Sequence, residues 1–152
     1  MIVRPSLLIT DDDASFRETL RSVFEPRFRT LVAGDGEEAM KIVRSQEVHL
    51  VLLDMHMPRL TGLEVLRGLR QLQVRVPCIL LSANLDDDLI SQAKQANAFS
   101  VLAKPVTRQR ITWTVEQALE TTYSGHLAGD ELQFEPKLSA GPDQPLMQRD
   151  HE

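Results

Sequence analysis

The sequence predicts an α/β protein, a five-stranded parallel sheet doubly wound with five helices. Three observations predict it. Short apolar runs alternate strictly with helical stripes up to about residue 123, the pattern of βαβ units. Leu7-Leu8-Ile9-Thr10 reads as a buried strand and runs straight into Asp11, Asp12 and Asp13. A second such run, Leu50-Val51-Leu52-Leu53, ends in Asp54.

The elements follow in order. Strands are expected over 6–10, 28–33, 49–53, 78–82 and 99–103. The first helix is marked by Phe16, Leu20, Val23 and Phe24, and the second by Ala39, Met40 and Val43. The third repeats Leu63, Leu66, Leu69 and Leu72; the fourth carries Leu89, Ile90, Ala93 and Ala96. The last helix sets Ile111, Val115, Ala118, Leu119 and Thr122 on one face. Gly36 and Gly62 fall near helix starts or in turns. Asp86-Asp87-Asp88 directly precedes the Leu89 stripe and reads as a helix cap that complements the dipole, not as a metal site.

A chain of 152 residues, 42% hydrophobic and 26% charged, builds one ordinary globular domain. No apolar stretch approaches the length of a membrane span, and the short run before the aspartates is no secretory signal. The single cysteine, Cys78, lies in an apolar strand and reads as a small buried hydrophobe; a reducing cytoplasm fits. From Gly125 the periodicity dissolves among Pro136, Pro142 and Pro145, and residues 125–152 are expected to be a flexible acidic tail. Six acids against two bases make that stretch −4, so of the chain's net −5 only −1 belongs to residues 1–124. Such a body offers no basic field for nucleic acid, and direct binding of it is not expected.

In a doubly wound sheet the C-terminal strand ends share one edge, where ligands bind. Here that edge collects Asp11, Asp12, Asp54, Ser82 and Lys104. Packed carboxylates repel and lose solvation, a cost met where a hard cation such as Mg²⁺ takes their oxygens. A central carboxylate can attack phosphorus, a lysine neutralises phosphoryl oxygens, and a hydroxyl donates to one of them. Alone, each has an ordinary explanation: a helix cap, a turn hydroxyl, a solvated lysine. Four motifs in one order do not.

Those motifs are Leu8-Ile9-Thr10-Asp11-Asp12-Asp13, Leu52-Leu53-Asp54-Met55-His56-Met57-Pro58-Arg59-Leu60-Thr61-Gly62, Leu81-Ser82-Ala83 and Leu102-Ala103-Lys104-Pro105. Over residues 6 to about 122 the chain resembles the receiver domain of two-component response regulators. The resemblance implies a flavodoxin-like strand order 2-1-3-4-5 and a receiver over residues 1–124. It makes Asp54 the acceptor of a phosphoryl group from a histidine kinase's phosphohistidine. It places Mg²⁺ on Asp12, Asp54 and the backbone carbonyl of His56, with Asp11 acting nearby through water. Ser82 takes the switch-hydroxyl position, Lys104 the lysine role, and Pro105 would follow a cis peptide. Ala83 leaves room for the phosphoryl group. The protein would be a phosphoacceptor, not a conventional enzyme.

Departures from the family pattern are informative. Val101 stands where many receivers carry Tyr or Phe, and Asn97 where Gly is usual, tolerable because Asn visits left-handed conformations. His56 and Asn84 occupy positions thought to tune dephosphorylation. Trp113, about 200° around the helix from Ile111, is expected on the outer side beside Gln109, Arg110 and Glu116, as a docking anchor for a downstream protein. No second globular domain is expected after the receiver, so signalling would run through protein–protein interaction or a phosphorelay. The partners expected are a sensor histidine kinase or phosphotransfer protein and a downstream target. Two alternatives stand beside this: a haloacid-dehalogenase-type phosphohydrolase, and a receiver fold kept as an unphosphorylated interaction module.

Overall fold

The computed structural model describes residues 4–124 and Leu146. In chain order the elements are β1 (Ser6–Thr10), α1 (Ala14–Phe24), β2 (Arg29–Ala33), α2 (Gly36–Ser45), β3 (Leu50–Asp54), α3 (Gly62–Gln71), β4 (Cys78–Ser82), α4 (Asp87–Gln95), β5 (Ser100–Ala103) and α5 (Arg108–Tyr123). Every strand pair is parallel, in the order β2-β1-β3-β4-β5. This is the flavodoxin-like order expected. The boundary at 124–125 and the acidic tail fall outside the described residues, Leu146 excepted.

Side chains of successive strand residues point to opposite faces, and here both faces are covered. Leu7, Ile9, Leu50, Leu52, Ile79, Leu81 and Leu102 pack with Phe16, Leu20 and Phe24 of α1 and with Ile111, Val115, Ala118 and Leu119 of α5. Leu8, Val51, Leu53, Cys78 and Leu80 face Ala39, Leu63, Leu66, Leu69, Leu89 and Ala93 of α2, α3 and α4. β1, β3 and β4 are buried along their whole length. Burial pushes the Cys78 thiol up to about 11, against an opposing pull from Arg70, so it stays a neutral thiol within the core.

The structure departs from the sequence reading in small ways. β2 begins at Arg29 because the Phe28 N–H closes the end of α1 on the Phe24 carbonyl, at 2.9 Å. β3 runs from Leu50 to Asp54 and so includes the terminal acid; β5 starts at Ser100. Leu72 and Ile90 are exposed: Leu72 is the C-cap of α3, and Ile90 lies one residue off the buried Leu89. Thr122 is exposed as well, while Tyr123 packs against the core and donates its hydroxyl to the His49 carbonyl at 2.8 Å. Asn97 has a φ of 63°, the left-handed conformation that suits Asn in place of Gly.

Glu116 departs in the opposite sense, from outside to inside. Helical spacing set it beside Trp113 on the outer side, yet it is buried, with Arg27 Nη2 of the loop after α1 2.8 Å from its Oε2. The arginine explains the inversion, since a carboxylate enters a core when a cation accompanies it. Trp113 itself is 46% exposed, as its spacing predicts.

Candidate functional site

Backbone pairing continues one step past the strands and sets the site. Asp11 N–H donates to the Ala33 carbonyl (3.1 Å), Met55 N–H to Leu81 (2.8 Å) and Lys104 N–H to Ser82 (2.9 Å). The residues at the ends of β1, β3, β4 and β5 are therefore held side by side at the C-terminal edge of the sheet. Gly62 is required here: a Cβ would stand 2.5 Å from the Asp54 carbonyl oxygen and 3.0 Å from Leu80. Thr61 and Glu64 close a capping box at the same point, starting α3 directly under the site.

The side chains converge. Lys104 Nζ donates to Asp54 Oδ1 at 2.9 Å and to Asp11 Oδ2 at 3.3 Å. Oxygens of Asp11, Asp12 and Asp54 all lie within 4.8 Å of one another. Asp11 and Asp54 are buried, whereas Asp12 is exposed and open to the rim. Asp13 leaves the cluster: its Oδ1 caps α1 by accepting from the N–H groups of Ser15 (3.0 Å) and Phe16 (3.4 Å). Its own N–H donates to Asp11 Oδ1 at 2.8 Å. Ser82 Oγ is fully buried, accepts from Asn84 N–H at 3.1 Å and lies 3.3 Å from His56 Nε2.

Electrostatics follow from this crowding. Burial above all, and then the charge of Asp54, raise Asp11 to about 6, against the opposing pull of Lys104. Burial likewise raises Asp54 above the usual carboxylate range, resisted by Lys104 and by a hydrogen bond from the His56 backbone. Burial pulls Lys104 down, but the two carboxylates outweigh it and hold the ammonium above its usual value. One cation thus serves two buried acids, with a third at the rim. The surplus of anionic oxygens suits a hard divalent cation, so this donor set fits Mg²⁺.

Two members went unseen in the sequence. Phe16, read only as core, lies under the ammonium, with Lys104 Nζ 4.7 Å from its ring centroid. Arg17 donates through Nη1 to the Asp11 carbonyl at 2.7 Å. Both lie in the first turn of α1 directly after the acids, and that position was the available signal.

Fold and site together define a doubly wound α/β module with an acidic cluster and a lysine at the C-terminal edge of its sheet. The model of the response regulator receiver domain matches residues 7–116, and the chain belongs to that family. It is 30% identical over 119 residues to sporulation initiation phosphotransferase F of Bacillus subtilis, covering 78% of this chain and 96% of that protein. It is also 30% identical over 116 residues to the hydrogenase transcriptional regulatory protein HoxA of Cupriavidus necator, covering 76% of this chain but only 24% of that longer one. The receiver domain of the Francisella response regulator 1452 superposes with a TM-score of 0.74 at 27% identity, covering 78% of this chain and 98% of that one. Receivers are signalling proteins that bind Mg²⁺ at an acidic cluster and interact with histidine kinases or phosphotransfer proteins. Among the described residues no helix is long and apolar enough to cross a membrane.

Proposed function

We propose that Asp54 accepts a phosphoryl group from the phosphohistidine of a sensor histidine kinase or phosphotransfer protein. A carboxylate oxygen of Asp54 bonds to phosphorus as the N–P bond breaks, and the electron pair leaves on the imidazole nitrogen. The observation that carries this reading is Lys104 bridging Asp54 and Asp11 beside the three-carboxylate cluster. Asp11, Asp12, Asp54 and the backbone carbonyl of His56 would hold Mg²⁺, which supplies charge neutralisation for the transferring oxygens. Lys104 and Ser82 take the remaining phosphoryl oxygens, and for that Ser82 Oγ exchanges its contact with His56 for the phosphoryl group. Phosphoester hydrolysis of the haloacid-dehalogenase type would want a second acid two residues after Asp54, where His56 stands.

Output follows by phosphorylation-dependent protein–protein interaction or onward transfer, the latter in keeping with the phosphotransferase among the relatives. The exposed Trp113 on α5 is the anchor offered to a downstream protein. The chain's lone, buried cysteine suits a cytoplasmic place. Incubation with acetyl phosphate and Mg²⁺ tests the reading: an acid-stable, base-labile adduct forms on the wild type and is lost in Asp54→Ala. Labelling that survives in Asp54→Ala, or none in the wild type from either acetyl phosphate or a kinase, overturns it.

A further inference from the structure

A groove of about 650 Å³ runs along β5 and the start of α5, lined among others by Leu85, Val101, Val106, Thr107, Arg110 and Trp113. Leu146 stands 22 residues beyond Ser124 in the chain, and it meets Val106, one of the residues that line this groove. Its N–H donates to the Val106 carbonyl at 2.9 Å, and its half-buried side chain packs against the α1/α5 core to which Val106 also belongs. Main-chain pairing and apolar burial thus coincide at one residue, on the loop that follows Lys104 and Pro105.

Charge favours the same match. Leu146 is flanked in sequence by Asp143, Asp150 and Glu152 against the single base Arg149, a net −2, while Arg108 and Arg110 stand in the first turn of α5, where the helix dipole is positive. Tethering adds to it, because a linked segment meets its seat at an effective concentration of up to millimolar order.

We propose that the C-terminal segment about Leu146 is the resident occupant of the β5–α5 end of this groove, and that a partner protein at this face must displace it. The docking stands on the Leu146–Val106 contact alone; its consequence for signalling rests on the functional reading above. If the docked form holds about nine-tenths of the population, a competitor binds roughly tenfold more weakly than to an emptied groove.

The test uses the full chain as wild type, Leu146→Asp and Leu146→Met, with a synthetic peptide of residues 140–152 as probe and the fluorescence of Trp113, the chain's one tryptophan, as readout. The peptide is expected to bind Leu146→Asp saturably and to bind the wild type and Leu146→Met roughly tenfold more weakly. A peptide carrying the same Asp does not bind. The Leu146 amide is expected to exchange with deuterium more slowly in the wild type than in the free peptide. Equal binding to all three chains, binding to none, or exchange at the free-peptide rate overturns the proposal. Exchange protection that grows with protein concentration, alongside a dimer by light scattering, overturns it in favour of a second copy as occupant. None of these readouts needs Asp54 to be phosphorylated. A chain that labels but does not dock sinks only this inference, and one that docks but does not label sinks only the function.

Discussion

Asp11-Asp12-Asp13 and Asp86-Asp87-Asp88 are the same tripeptide, the first directly ahead of α1 and the second entering α4, which starts at Asp87. The first follows Thr10, the last residue of the interior strand β1; the second stands four residues past Ser82, the end of β4. That spacing separates their fates. Asp11 extends the β-ladder, is trapped between the neighbouring strand ends and is 1% exposed, with its carboxyl raised to about 6. Asp86, on the outer loop, remains exposed and accepts the Leu89 N–H at 2.8 Å as the α4 cap. Asp13 does for α1 what Asp86 does for α4. Distance from a strand end, not density of acid, makes a site.

The strongest way to break this contrast is to remove the cation that only the first cluster needs. Lys104→Ala leaves two buried carboxylates facing each other, and loss of one partner from such a group costs about 3–5 kcal/mol. Urea unfolding at pH 7 without metal is expected to show a loss of that order, partly recovered on adding Mg²⁺. Replacing Lys94, near the end of α4, is expected to change stability by only a few tenths of a kcal/mol, since exposed charges contribute little.

Titration sharpens the contrast next. Asp11 is raised from 3.8 to about 6, so the folded state binds its proton more tightly than the unfolded chain does. That term favours the fold in full below about pH 4 and is lost as pH rises through about 6, a swing of about 3 kcal/mol. Asp11→Asn, which stays neutral, is expected to gain on the metal-free wild type by that amount between pH 4 and pH 8. A constant difference across the range would mean that Asp11 is not desolvated. Mg²⁺ affinity follows: calorimetric titration at pH 7.5 is expected to show a drop of about 100-fold in Asp11→Asn, at the upper end of what even outer partners of a metal contribute. Asp88→Asn is expected to leave that affinity unchanged.

The fold was legible because its strands are continuous apolar runs and its helices keep their stripes; the apolar runs located every strand to within a residue, and a stripe marked each of the five helices. The site was legible because strand-end residues converge by topology, so Asp11, Asp54, Ser82 and Lys104 needed only the order of the strands. What escaped depends on partners that no local pattern encodes. Glu116 is buried because Arg27, on the loop after α1, reaches it across the sequence. The contact of His56 with Ser82 depends on how the loop after β3 folds against the end of β4. Leu146 reads as part of an aperiodic acidic stretch, and its seat on Val106 is a tertiary event.

The smallest effect bears on whether cap and pocket are separable. Asp86→Ala removes the acceptor for the Leu89 N–H and is expected to cost about 1 kcal/mol, the usual loss for an N-cap. Asp87→Asn, in the first turn of α4, loses only a dipole interaction of a few tenths of a kcal/mol that salt screens. Asp13→Ala also removes a cap, but the hydrogen bond that Asp13 gives Asp11 comes from its main-chain N–H, which alanine keeps. The two cap deletions are therefore expected to match within about 0.5 kcal/mol by thermal unfolding. Both are expected to leave Mg²⁺ affinity where it was. A distinctly larger loss in Asp13→Ala, accompanied by weaker Mg²⁺ binding, would mean that the α1 cap and the acid pocket form one cooperative unit. The spacing argument would then hold for Asp86 alone.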